Sequence, residues 1–87
     1  MHPPTVFLVE HLRDQGDSND IKLIGIYSTR EQADAAVKRK QIFPGFSDFP
    51  RVIDTMKDEE TSGFYISEIT LDQDYWSEGF IYEPNKA

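Results

Sequence analysis

Two overlapping helix-start signals, placed directly after an apolar run, constrain this chain more than any other feature. Ser28 stands three residues before Glu31, and Thr29 three before Gln32. Either hydroxyl can cap an amide of the first turn while the side chain three residues on reaches back. The spacing therefore predicts a helix beginning at Ser28 or Thr29. Ala33, Ala36 and Val37 follow at i, i+3 and i+4, a narrow apolar stripe of small side chains that lets the helix lie close to a sheet. Asp34 and Lys38 form an i, i+4 pair in the favourable order. Lys38-Arg39-Lys40 fills the last turn, where cations complement the helix dipole. That placement explains the chain's one basic cluster better than a phosphate site does.

Three β-type runs surround this helix. Thr5 to His11 is rich in β-branched and aromatic residues, and both of its faces begin apolar, which predicts an inner strand. Arg13 to Asp20 is polar and reads as a long hairpin loop. Ile21 to Tyr27 forms the second strand, with Gly25 marking a bulge or a close approach. Gly63 to Leu71 alternates as the third strand, and Phe80-Ile81-Tyr82 adds a short edge strand. The order β-β-α-β, with a possible final β, predicts an α+β two-layer sandwich. An antiparallel sheet of three to four strands packs on one helix. At 87 residues such a chain buries about 64% of its unfolded surface, enough for one core. We expect a single domain over residues 1–87, with residues 1–4 and 84–87 as flexible ends.

Pro44 and Gly45 stop the helix. Phe43, Phe46 and Phe49, at three-residue spacing, are expected to tuck under the sheet; a hydrophobic docking surface is the sharper alternative. Residues 51–62 read as an insertion or mobile loop. Val52, Ile53 and Met56 are its candidate anchors, and Lys57-Asp58-Glu59-Glu60 is expected to face solvent.

The inventory for chemistry is short. No cysteine is present, which excludes thiolate catalysis and cysteine-ligated metal. His2 lies in the terminus and His11 reads as a surface histidine at a strand end, without a Gly-x-Ser-x-Gly elbow elsewhere. Two calcium-loop spacings start, at Asp17-x-Asn19 and Asp72-x-Asp74, and each breaks at its third ligand position, occupied by Ile21 and Trp76. No phosphate-cradling glycine loop occurs. We expect no enzyme activity, no cofactor and no metal. No apolar run approaches 18 residues and no secretory leader opens the chain, so a cytoplasmic protein is expected.

Charge is more informative. Sixteen acids face nine bases, a net −7, and residues 1–43 balance. The whole excess lies in residues 44–87, and from Asp58 to Glu83 eight acids occur with no base. Direct nucleic-acid binding is disfavoured, because a neutralising basic footprint is missing. A basic partner would be steered in; solubility alone is the plainer reading. The aromatic-acidic stretch from Asp72 to Phe80 is the most distinctive segment, with Trp76 read as cover for the core and Tyr75 free for contact. The candidate partner-binding residues are Asp72, Asp74, Tyr75 and Glu78, followed by Asp58, Glu59 and Glu60. The turn ranks first because it is pre-organised.

Several segments together resemble an uncharacterised family of small bacterial proteins. They are Val6 to His11, Lys22 to Glu31, Pro44-Gly45-Phe46, Gly63 to Glu68, and Trp76-Ser77-Glu78-Gly79-Phe80 with its Trp-x-Glu-Gly-Phe signature. The resemblance implies this element order and carries no activity or ligand. The function expected is a small acidic module that neutralises or regulates a basic protein partner, such as a toxin or nuclease, in the manner of immunity or inhibitor proteins. A homodimer joined through a strand edge, serving a structural or accessory role, is the alternative. A small-molecule sensor or enzyme using His11 comes last.

Overall fold

A computed structural model describes residues 4–75 and 79. Strand β1 (Thr5–Asp14), strand β2 (Asn19–Tyr27), helix α1 (Arg30–Lys40) and strand β3 (Gly63–Thr70) follow in order. They form a three-stranded sheet in the order β2-β1-β3, with β1 antiparallel to both neighbours. The result is a small α+β sandwich with β1 as the central strand. Residues Trp76 to Glu78 and the expected edge strand at 80–82 lie outside the described residues.

The hairpin is longer than its polar sequence suggests. Pairing continues through Arg13↔Asp20 and Asp14↔Asn19, which places opposite charges across the strands. The turn shrinks to Gln15–Ser18, closed by the Gln15 N–H on the Ser18 carbonyl at 2.9 Å. The pairing register slips between Val9 and Glu10, so one extra residue of β2 is accommodated there. Gly25 lies at this slip. A Cβ there would stand 2.5 Å from the Tyr27 hydroxyl, so Tyr27 lies over a position that only glycine leaves open.

Thr29 is the N-cap of α1, accepting from the Gln32 N–H at 3.1 Å. Ala33, Ala36 and Val37 are buried against the sheet. Asp34 pairs with Arg30 at 3.0 Å rather than with Lys38. Both pairings are exposed i, i+4 contacts worth a few tenths of a kcal/mol, so sequence order decides weakly between them.

Val9, Ala33, Val37 and Phe64 form the core, and Phe7, Ile24, Tyr27, Phe46 and Ile66 pack around it. Of the three spaced phenylalanines, Phe46 reaches the core and Phe49 is half-buried. Phe43 stays exposed under the Lys40 ammonium, 4.4 Å from its ring centroid. Residues 51–53 run along β3, with the Phe64 N–H on the Arg51 carbonyl and the Ile53 N–H on the Phe64 carbonyl, both 2.8 Å. Gly63 permits this approach, since a Cβ there would meet the Arg51 carbonyl at 2.6 Å. Ile53 is a true anchor, whereas Met56 points into solvent at 90% exposure.

Candidate functional site

His11 is where the structure departs furthest from the sequence reading. It is 2% exposed, not a surface histidine, because β1 continues beyond it and the 41–50 loop folds over its ring. Its ring lies 4.6 Å from both Phe46 and Phe64, measured between centroids. Its Nε2 is 3.0 Å from the Phe49 carbonyl oxygen, which can only accept, so Nε2 carries the proton and donates. The imidazole thus ties the 41–50 loop to the sheet. It is a structural group.

The acidic candidates fall into two separate places. Register sets Thr5 opposite Thr70 and Leu12 opposite Gly63, so residues 58–60 and 72–75 lie beyond opposite ends of β3. Eight residues of strand span roughly 25 Å at 3.3 Å each, and the structure does not bring the clusters together. At one end, Arg51 reaches Asp58 at 3.1 Å and also pairs with Glu60. Asp58 additionally accepts the Asp54 N–H at 2.8 Å and is half-buried, not solvent-facing as its charged neighbours suggested. Glu59 is exposed. Thr61 donates to Asp14 at 2.8 Å and the Ser62 hydroxyl accepts the Asp14 N–H, which joins this segment to the hairpin. An open cleft of 290 Å³ lies there, lined by Asp14, Phe49, Glu60, Thr61 and Ser62. The Gly16 N–H, and then the Thr61 hydroxyl, hold the Asp14 carboxyl below its ordinary value.

At the other end, Asp72 takes a left-handed conformation (φ 58°), which aspartate tolerates better than most residues. Asp72 and Asp74 are exposed. The Tyr75 hydroxyl accepts the Thr70 N–H and donates to the Thr70 carbonyl, so its ring is exposed on a fixed tether. Glu78 lies outside the described residues.

Between these ends lies a surface that the sequence reading missed. The one helix among the described residues packs on β1 and β2 from one side. Phe7, Val9 and His11 point toward it, so Val6, Leu8, Glu10 and Leu12 point away. Through the register, Ile21, Leu23 and Ile26 of β2 and Tyr65, Ser67 and Ile69 of β3 share that outward face. Ile21, Leu23 and Ile26 are 56%, 60% and 59% exposed, and Leu71 continues the row beyond β3. The charged strand residues on this face are Glu10 and Asp14. The strand bases, Arg13 and Lys22, stand on the helix side with His11. Among the described residues no ion pair engages Glu10. The missed signal was arithmetic: one helix cannot cover both faces of a sheet whose central strand is apolar on both.

Residues 4–80 match a family described as a domain of unknown function, DUF7336. The chain belongs to that family. No curated protein and no solved structure matches it. The matched span includes residues 51–62 and the described part of the acidic turn. Among the described residues no three His, Asp or Glu side chains are grouped to hold a metal ion, and no helix is long and apolar enough to cross a membrane.

Proposed function

We propose that this chain is a non-catalytic protein-binding module that holds a basic protein partner against the outward face of its sheet. The observation that carries the reading is that face itself: Ile21, Leu23 and Ile26 more than half exposed beside the half-buried Val6, Leu8 and Leu12, with Glu10 and Asp14 the only charged strand neighbours among the described residues. A contiguous apolar surface left open on a small domain marks an interaction site, and an acidic surround favours a cationic partner. The exposed Asp72 and Asp74 extend that field past the end of β3. Neutralising or regulating a toxin or nuclease, whose positive groove such a surface can occlude, is the role this chemistry serves, in the cytoplasm. The same acidity disfavours direct contact with nucleic-acid phosphates.

A second reading, a homodimer through a strand edge, rests on the outer edge of β2, which pairs with no described strand. The register slip interrupts that edge and weakens it as a template.

Association kinetics with the partner isolated from the native host test the proposal. Raising ionic strength is expected to slow association more than it speeds dissociation. An on-rate indifferent to salt would contradict a basic partner. A neutral or acidic protein as the sole specific partner would contradict it too.

A further inference from the structure

We infer that the occupant of the outward face is an amphipathic helix of the partner, whose apolar stripe carries one Lys or Arg that meets Glu10. This inference rests on the protein-binding reading above and goes beyond it by naming the element and the contact.

Dimensions favour a helix. Three strands about 4.8 Å apart make a face roughly 14 Å wide, which admits one helix of about 10–12 Å diameter. The ten residues of β1 extend about 33 Å, close to the roughly 30 Å of a 20-residue helix. The helix-side face already shows this solution, since α1 packs on β1 and β2 there. A helix on the outward face would complete a third layer by the same packing.

Charge then selects the helix. Glu10 sits on the central strand, opposite Leu23 on one side and Tyr65 on the other. It is half-buried already, and any element laid over these residues removes more of its water. A buried carboxylate requires a cation or hydrogen-bond donors. Among the described residues no strand base stands on this face of the sheet, so the occupant must bring one. A second copy of the chain fails this requirement, because packing the two faces together would desolvate two Glu10 carboxylates with no strand cation on either side.

The test uses the intact chain and two synthetic peptides. One is a 20-residue amphipathic helix of Leu, Ala and Gln with a single Lys centred in its apolar stripe. The other is identical with that Lys acetylated, which removes the charge and keeps the stem. Methyl resonances of Leu8, Leu23, Ile26 and Ile69 are followed by NMR during titration. The Lys peptide is expected to shift these methyls saturably and to bind at least about tenfold more tightly than the acetylated one. Glu10→Gln should bring the two affinities to within about twofold, while Asp72→Asn/Asp74→Asn should leave the ratio unchanged.

Equal affinities for the wild-type chain would overturn the Glu10 contact. Absence of saturable shifts on the outward face would overturn the helix as occupant. So would contacts in the free chain between these methyls and a second copy or the aromatic rings of residues 76–82. Partner capture that persists through the outward face while the peptides fail would sink this inference and leave the protein-binding reading intact. Capture that ignores the outward face would sink the reading itself.

Discussion

The helix-side face and the outward face of the sheet differ less in composition than in what covers them. Phe7, Val9, Phe64 and Ile66 on one side, and Leu8, Leu12, Leu23 and Ile26 on the other, are comparably apolar. On the helix side, α1 and Phe46 complete a core around Val9 and Phe64, and burial there stabilises the fold by about 1.5–3 kcal/mol per large side chain. On the outward side the same kind of residue stays more than half exposed at Ile21, Leu23 and Ile26. Apolar area left in water contributes nothing to folding, so it stays available for association. One face makes the core, and the other is the one we propose for a partner.

Mutations should separate the two faces sharply. Phe64→Ala removes a fully buried ring from the centre of the core and should destabilise the chain by about 3–5 kcal/mol in urea unfolding. A loss under about 1 kcal/mol would mean the helix side is not the stabilising one. His11→Phe keeps an aromatic ring against Phe46 and Phe64 but leaves the Phe49 carbonyl without its donor. The expected loss is about 1–3 kcal/mol, and the amide exchange of residues 46–49 should quicken with it.

That histidine also shows what sequence could and could not convey. The cap at Thr29, the small-residue stripe of α1 and the central position of β1 were all legible, because each rests on local spacing. His11 was misread because residues distant in sequence, Phe46, Phe49 and Phe64, bury it, and no local pattern announces them. Arg13 and Asp20 look like loop residues until they pair across the hairpin. Likewise Asp58 and Glu60 read as free acids because their partner, Arg51, lies outside the base-free run. The outward face is hidden for a different reason: apolar residues on both sides of β1 mark an inner strand, and only the count of covering elements among the described residues shows that one side is left open.

Smaller effects sharpen the comparison at the sheet's ends. Arg51→Gln removes the cation between Asp58 and Glu60; Arg51 and Glu60 are exposed and only Asp58 is half-buried, so stability should fall by no more than about 1 kcal/mol. If the acids act only through steering, the freed charge should raise the on-rate of a basic partner at low salt. Leu23→Ser on the outward face should change stability by no more than about 0.5 kcal/mol.

The Asp14 carboxyl gives the smallest effect. Its folded-state value lies below the ordinary 3.8, so its stabilising influence is complete above that pH and fades as pH falls through the lower folded value. As pH falls through that lower value, the tie from Asp14 to Gly16 and Thr61 should loosen. Exchange of the Gly16 amide against pH, compared with Asp14→Asn, reads this directly. A pH response unchanged in the variant would assign it to another acid.

The most direct measurement pairs stability and binding in one variant, Ile21→Ser/Leu23→Ser, which strips the outward face and leaves the core untouched. Urea unfolding and capture of the native partner are measured side by side with the wild-type chain. The expected result is a midpoint close to wild type together with capture reduced below detection. Undiminished capture by a stably folded variant would contradict the claim that this face is where the partner binds.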